Sequence, residues 1–381
     1  MKRITALTFI NYFVSGALTL LIPLLLLAKN VNVAEIGVVV SALPLVFLFA
    51  RLLFAAIADS IGWSHIFLLA NWPATVFAPL IYFAASSVPG FAAGKIIEGL
   101  RESSYWAVNR TAIFSLSPKR QEHEATKING VIWLATAAGS AAAGAGIAYV
   151  GFSSTLGVLT LVSAAVVIPA AFLWKTGKMP SKPKSFSPRS FFSTLSPKGK
   201  GREFWVVSTA LMFYSFAVYP LITLLLPVFM SDQLGYSYLT IGFWLLVYNL
   251  LAAAVTFLTL KMQLNFKRAA FQSAIGLAAA VFLASSGLLF PALLCALAFV
   301  RGYSVAYFEH SVAKVAKNSK NVSVDIGWLH VPMRLAEFSS VLASGFLVQV
   351  VGYAPVFAAT GLCFVVFSFM TLKILKQTNS N

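Results

Sequence analysis

The sequence predicts an all-α integral membrane protein with twelve transmembrane helices in two pseudo-symmetric six-helix bundles. Hydrophobic residues fill 59% of the 381 positions and charged residues only 10%, which leaves too little polar surface to cover a water-soluble globule. Twelve apolar runs are each long enough to cross a bilayer. One hydrophilic stretch divides these runs into six and six, so the chain is predicted to have two similar halves.

The individual helices follow from the bilayer thickness, since a hydrocarbon core of about 30 Å requires roughly 20 apolar residues per helix. The first run follows Met1-Lys2-Arg3 and is longer than the core of a cleavable signal peptide, so it is interpreted as a retained helix. Charged residues, proline or glycine bound the other runs. The predicted spans are 4–27, 36–57, 65–86, 88–114, 125–149, 153–175, 204–230, 237–260, 268–287, 289–313, 325–351 and 353–374.

Residues 176–203 form the hydrophilic stretch. They are rich in Lys, Ser and Pro and have no apolar stripe, which is typical of a flexible linker. The predicted domains are therefore an N-terminal bundle at 1–175, a basic linker at 176–203 and a C-terminal bundle at 204–381. Short matches at a nearly constant offset suggest an internal repeat. They pair Leu21-Ile22-Pro23 with Leu225-Leu226-Pro227, Ile36-Gly37 with Ile241-Gly242, and Val150-Gly151-Phe152 with Val351-Gly352-Tyr353.

Basic residues predict the orientation of the helices. The chain carries 28 Lys and Arg against 11 Asp and Glu, a net charge of +17. With the N-terminus in the cytoplasm, 21 of these bases fall on the cytoplasmic side, Lys29 alone falls on the other side, and six lie within helices. This asymmetry predicts a multi-pass protein of the cell (plasma) membrane with both termini cytoplasmic. It also explains the basic composition without a nucleic-acid partner.

Patterns of metal sites and nucleotide-driven pumps are missing from the sequence. Cys295 and Cys363 are isolated in apolar runs, and no CxxC pair or histidine cluster indicates a metal site. The phosphate-binding pattern G-x-x-x-x-G-K-[ST] is also absent, which argues against direct use of ATP. We therefore expect neither a metal nor a cofactor.

Charged side chains are concentrated in helix 4, although an ionisable group in the membrane is costly and has to face protein or water. The helix holds Lys95, Glu98, Arg101, Glu102 and Arg110. At 100° per residue, an arc of about 80° contains Lys95, Glu98, Glu102, Tyr105 and Asn109. We expect this stripe to line a water-filled pathway. The alternative is that its charges only neutralise one another as i+3 and i+4 pairs.

Helices 10 and 11 carry the membrane charges of the second half. Arg301 has no acid within one turn, because Glu309 is two turns away, so its partner must be another helix, water or an anionic ligand. Arg334 and Glu337 form an i+3 pair that serves either coupling or packing. In helix 1, Asn11 begins a polar ridge that either binds substrate or joins two helices.

Residues 55–64, at the end of predicted helix 2, read AAIADSIGWS. They resemble a signature of the major facilitator superfamily, G-x-x-x-D-[RK]-x-G-[RK]-[RK], in which Asp59 and Gly62 keep their spacing. Helix 4 is similar to a second signature, with Lys95 where Arg is usual. Helix 5 carries Gly139-Ser140-x-x-Ala143-Gly144, which resembles a G-P-x-x-G-G element associated with antiporters, without its proline.

The resemblance implies a cavity lined by helices 1, 4, 7 and 10. It also implies that Asp59, with Gly62 in the same turn, latches the cytoplasmic side. In this family the partners of the aspartate are the start of helix 11 and an arginine that corresponds to Arg110.

Together these features predict a secondary transporter and not an enzyme. It is expected to act as a monomer in the lipid bilayer and to move a small-molecule substrate by alternating access. The excess of bases within helices favours an anionic or zwitterionic solute. Candidate proton carriers, in which conformation controls the pKa, are Glu98, Glu102, Glu309 and Glu337. The alternatives are a polytopic membrane enzyme acting on a lipid or prenyl substrate, and a transport-inactive sensor or scaffold.

Overall fold

A computed structural model describes residues 1–176, 200–259, 262, 265–284, 287–316 and 322–378. Every regular element within these ranges is helical, which confirms the predicted all-α class. Most of the predicted linker lies outside the described residues, and so does the side chain of Asp59. The linker boundaries and the Asp59 latch therefore stay predictions.

The described helices group into twelve consecutive segments, in agreement with the twelve predicted spans. Two of them, α5 and α6, are the parts of one stretch before and after Gly151. The segments are α1 Lys2–Ala28, α2 Val33–Ile61, α3 Trp63–Ala84, α4 Val88–Leu116, α5 and α6 within Gln121–Ala164 with Val167–Thr176, α7 Arg202–Asp232, α8 Tyr238–Thr259, α9 Phe266–Phe282, α10 Phe290–Ala316, α11 Val322–Leu329 with Val331–Val351, and α12 Tyr353–Thr378.

Length and apolar composition qualify nine of the described stretches to cross a membrane, with α5 and α6 counted as one. The two that do not qualify are α4 and α9. α4 carries the cluster of charged residues, and α9 has only 17 residues. The chain is therefore a multi-pass membrane protein whose least apolar long helix, α4, has to be sheltered by its neighbours.

Two sharp turns occupy equivalent positions in the two halves. α5 turns into α6 at Gly151, with φ 80° and ψ 171°, and α11 turns into α12 at Gly352, with φ 78° and ψ −179°. Residues with a Cβ atom rarely adopt such a positive φ, so both turns require glycine. The nearly identical backbone geometry supports the internal repeat that the sequence indicates.

The two halves meet at two close helix crossings. A Cβ atom on Gly144 of α5 would lie 2.8 Å from the Cα atom of Gly242 of α8. A Cβ atom on Gly345 of α11 would lie 3.1 Å from the Cα atom of Gly37 of α2. Small residues allow helix backbones to approach this closely. The crossings are related by the internal repeat, since Gly37 matches Gly242 and Gly144 matches Gly345 at the same kind of offset.

The start of α1 and the end of α12 lie on one side of the helical array, which we call the termini side; the opposite side is the far side. Arg3 near the start of α1 donates to the backbone oxygen of Phe172 near the end of α6, at 3.3 Å. Glu203 at the start of α7 forms an ion pair with Lys314 near the end of α10, at 2.5 Å. Odd-numbered helices therefore begin, and even-numbered helices end, at the termini side. The glycine crossings are nearer the far side.

Candidate functional site

A cavity of about 180 Å³ lies between the two halves, near the middle of the helices. Side chains of α1, α2, α4, α5, α7, α10 and α11 line it. The polar and charged members of the lining are Tyr12, Ser15, Thr19, Lys95, Glu98, Glu102, Thr136, Tyr214, Ser215, Tyr219, Thr223, Arg301, Arg334 and Glu337. The complete lining therefore comes from the four helices expected to line a central cavity, α1, α4, α7 and α10, together with α2, α5 and α11.

Glu98 is the most heavily bound carboxylate at the cavity. Its Oε2 atom accepts from Lys95 at 2.9 Å and from the hydroxyl of Tyr82 at 2.8 Å. Its Oε1 atom lies 3.6 Å from Nη2 of Arg101. All three partners favour the ionised carboxylate, so Glu98 is suited to anchor Lys95 and Arg101 in fixed positions.

Glu102 is held less completely than Glu98. Only its Oε1 atom is bound, by the hydroxyl of Ser15 at 3.0 Å and by Nη2 of Arg101 at 3.2 Å. Its side chain is 16% exposed, against 1% for Glu98. Because Glu102 reaches the cavity with one oxygen not engaged by protein, it is the carboxylate of α4 best placed to exchange a proton or bind a cationic group.

The second half presents Arg334 and Glu337 to the cavity. Arg334 forms a buried ion pair with Glu337, whose Oε1 atom also accepts from Ser215 at 3.2 Å. The guanidinium carbon of Arg334 lies 3.6 Å from the ring centroid of Phe47 on α2. This cation–π contact crosses the interface between the halves, so movement of the halves changes the environment of the Arg334 and Glu337 pair.

Glu102 and Glu337 belong to different halves and act on each other electrostatically. Tyr219 of α7 lies within electrostatic range of both and also of Glu98. Two acids from different halves therefore face the same cavity, and their interaction depends on how the halves are placed.

Arg301 is the cation of the cavity lining without an acidic partner among the described residues. Its Nη1 group donates to Oδ1 of Asn249 at 3.2 Å. Its guanidinium carbon lies 3.8 Å from the ring centroid of Trp133 and 5.3 Å from that of Tyr248. The Nε group is buried and has no acceptor. A fixed, charged guanidinium between aromatic rings, with spare N–H groups, is suited to bind a carboxylate or another anionic group.

The halves also meet on the termini side of the cavity, through a buried ion pair between Arg110 of α4 and Glu309 of α10. Asn129 of α5 donates to Oε1 of the same carboxylate at 2.7 Å. The guanidinium carbon of Arg110 lies 5.3 Å from the ring centroid of Trp106. We call Arg110, Asn129 and Glu309 the ionic seal. Glu309 is bound by two donors of the first half and does not line the cavity. It therefore serves as a contact between the two halves.

The far side of the cavity is closed by apolar packing. Leu21 and Leu24 of α1 and Leu224 and Leu225 of α7 are fully buried in one hydrophobic cluster. A helical turn of the wider π type, Leu221–Leu225, precedes the last segment of α7. The two closures differ in chemistry, since the far side buries aliphatic side chains and the termini side buries an ion pair.

Three of the predicted pathway residues lie inside the first half and not at this cavity. The Tyr105 hydroxyl is 2.8 Å from the hydroxyl of Thr8, which joins α4 to α1. Asn11 donates to Oδ1 of Asn71 at 3.0 Å and so joins α1 to α3. Asn109 is fully buried, and neither polar atom of its side chain has a hydrogen-bond partner. Arg101 is also behind the lining, where it supports Glu98 and Glu102 as described above.

Several residues of the site were not singled out by their sequence pattern. Trp133, Phe47 and Tyr12 are aromatic residues in apolar runs, so periodicity gives no reason to separate them from lipid-facing neighbours. Asn129 stands four residues before Trp133, near the start of α5. A polar residue in a membrane helix was the one available signal for Asn129.

The described residues hold no group of three or more His, Cys, Asp or Glu side chains that fits a metal ion. Cys295 and Cys363 are both free and partly buried. The side chains that line the cavity offer ionic and aromatic contacts to a solute.

Comparison with known proteins adds two findings. The sequence profile of the Major Facilitator Superfamily matches residues 4–308. Among solved structures, the chain is similar to the human organic anion transporter MFSD10 (TETRAN), with a TM-score of 0.73 and 15% sequence identity, over 97% of this chain and 99% of that one. At this identity the similarity shows a shared fold. A search of curated protein sequences gives no match.

Proposed function

The chain belongs to the major facilitator superfamily, and we propose that this membrane transporter is a secondary carrier that exchanges a small organic anion for, or moves it with, protons. It does so by alternating access of the central cavity to the two sides of the membrane. One chain provides the whole cavity, so a monomer suffices. The excess of bases on the termini side supports a cytoplasmic position for both termini in the plasma membrane.

The observation that carries the proposal is the unpaired Arg301 at the cavity. A guanidinium cannot lose its proton in a protein, so its charge persists when the cavity is empty. An anionic substrate supplies the missing partner. Trp133 and Tyr248 beside it favour a solute with an apolar or planar part. The structural relative MFSD10, described as an organic anion transporter, supports the same substrate class.

Proton coupling is assigned to Glu102 with Glu337. Glu102 lines the cavity with one oxygen that no described donor binds, whereas both oxygens of Glu98 face donors and Glu309 lies outside the cavity lining. When the halves move, the distance between Glu102 and Glu337 changes, and so does the repulsion that favours protonation of one of them. A zwitterionic solute would place its cationic group at Glu102.

Vesicles that contain the purified protein and a trapped pH indicator test the substrate class. A panel of mono- and dicarboxylates, with neutral and cationic analogues of similar size, is added outside under a fixed pH gradient. We expect proton movement with one or more of the anions, and its loss in Arg301→Gln. The matched control Lys127→Gln removes an exposed charge far from the cavity and should behave as wild type. Coupling to neutral or cationic solutes that survives Arg301→Gln would contradict the proposal.

A further inference from the structure

Two basic side chains in the membrane interior have no acidic partner among the described residues. One is Arg301 at the cavity, and the other is Arg51 in α2. The four acids of the membrane interior whose side chains the structure describes are each bound by another base. Their pairs are Lys95 and Arg101 with Glu98, Arg101 with Glu102, Arg110 with Glu309, and Arg334 with Glu337.

Arg51 is 3% exposed, and none of the residues that the structure describes accepts from its Nε or Nη1 group. Its guanidinium carbon lies 5.7 Å from the ring centroid of Phe47. Because a guanidinium keeps its charge, the fold holds a permanent cation here with free N–H groups.

The charged groups that act most strongly on Arg51 have the same sign as Arg51 itself. Arg334 and Arg110 act on it more strongly than Glu337 or Tyr12. Each of these two arginines also has a buried N–H group without an acceptor, Nε in Arg334 and Nη1 in Arg110. Arg51 and Arg334 contact the same ring, that of Phe47, and Arg110 lies within electrostatic range of Arg51, so three guanidinium groups with unused donors occupy one region.

The acceptors near this cluster are already engaged. Glu337 binds Arg334, and Glu309 binds Arg110. His330 acts electrostatically on Arg51, but its Nδ1 atom lies 2.6 Å from the backbone oxygen of Ile326, one turn back along α11. None of the described residues provides a further anion for the three arginines.

The cluster lies between the cavity and the ionic seal. Arg334 lines the cavity and stacks on Phe47, the ring that Arg51 also contacts. Arg110 belongs to the seal on the termini side. Arg334 and Arg110 therefore mark the ends of the cluster that face the cavity and the termini side.

We propose that Arg51, with the free N–H groups of Arg334 and Arg110, forms a second anion-binding site on the termini side of the cavity. Its ligand is a small monovalent anion that accepts several N–H hydrogen bonds, either a chloride ion or the carboxylate of a solute in passage. Several buried N–H donors without acceptors in one region are what such an anion requires. The bound anion also neutralises a charge that the fold leaves unpaired.

Thermal unfolding of the purified protein tests this site without any transport measurement. Sodium gluconate, whose anion is bulkier than chloride or acetate, is replaced by sodium chloride or by sodium acetate at constant ionic strength. The melting temperature of the wild type should rise saturably, since a ligand that binds only the folded state stabilises it. In the Arg301→Gln background, which lacks the proposed substrate site, the rise should persist. Arg51→Gln added to that background should remove the rise, and Lys127→Gln added to it should keep the rise. Survival in Arg301→Gln separates this site from the substrate site of the proposed function.

The stability of the variants in gluconate distinguishes an anion site from a structural arginine. Arg51→Gln should melt at or above the wild-type temperature there, because it removes an unpaired buried charge. Arg51→Lys keeps the charge with fewer donors and should retain the chloride effect with a Kd raised about tenfold. A response to both anions supports a carboxylate in passage, and a response to chloride alone supports an inorganic ion. A saturable rise of wild-type size in Arg51→Gln, no rise in the wild type, or a loss of stability of Arg51→Gln in gluconate would overturn the proposal.

Discussion

Replacing Glu309 by Gln should shift the protein toward a state that is open on the termini side. The ion pair between Glu309 and Arg110 is buried on both partners and joins the two halves. Breaking a buried pair by removing one partner typically costs about 3–5 kcal/mol, because the other charge is left uncompensated. When the halves separate on this side, water reaches Arg110 and most of that cost disappears. A cost of about 3 kcal/mol corresponds to roughly a 100-fold change in the ratio of closed to open molecules.

Distances between two spin labels measure this shift. The labels are placed on cysteines that replace Lys127 in α5 and Lys267 in α9, exposed positions on the termini side of different halves. Cys295 and Cys363 are first replaced by Ser. We expect Glu309→Gln to move the distance distribution to longer values relative to the unsubstituted labelled protein.

Two further variants decide whether the ion pair is the cause. Arg110→Gln combined with Glu309→Gln leaves no unpaired charge, so it should open less than Glu309→Gln alone. Asn129→Ala keeps the pair and removes one hydrogen bond to a charged group, a loss of about 1.5–3 kcal/mol that should give an intermediate shift. An unchanged distribution in Glu309→Gln, or wider opening in the double variant, would refute the reasoning.

Substitutions at four other positions have separate expected outcomes. Glu102→Gln should abolish proton-driven accumulation but leave solute exchange intact, as uptake and counterflow measurements will reveal. Glu98→Gln should instead lower the melting temperature, because three donors lose a charged acceptor in a buried network. Gly345→Val should hinder closure of the far side, since even a Cβ atom would lie 3.1 Å from the Cα atom of Gly37. A bulky thiol reagent should then reach, from that side, a cysteine that replaces Thr223 in the cavity lining. Gly352→Ala should cost about 1–2 kcal/mol in thermal unfolding, because φ is 78° although the space around it is open.

The fold was largely predictable from sequence because lipid imposes one length on every helix. Apolar runs of about 20 residues, glycine at the turns and the distribution of Lys and Arg were sufficient for twelve segments. The repeat between Gly151 and Gly352 was visible as a short sequence match and reappears as the same backbone turn. The length of a helix in lipid and the need for glycine at a positive φ are local requirements, so the local sequence is enough to predict them.

The partners of the membrane charges were less predictable, because they depend on how helices from different halves are aligned. Sequence spacing placed Glu309 two turns from Arg301, but the structure pairs it with Arg110, almost 200 residues earlier in the chain. Tyr105 shares an arc of α4 with Glu102, yet the arc is wide enough to face both the cavity and Thr8 of α1. Sequence periodicity predicts which residues share a face of a helix, but tertiary packing determines which other residues that face contacts.

Accumulation of an anionic solute in sealed vesicles, with and without a pH gradient, is the most direct test of the central claim. The solute is the anion that the carboxylate panel identifies, and its internal and external concentrations are measured at steady state. We expect an internal concentration above the external one that collapses to equality when the proton gradient is dissipated, and no accumulation in Arg301→Gln. Equal concentrations on both sides under a maintained gradient, or accumulation that Arg301→Gln leaves unchanged, would contradict it.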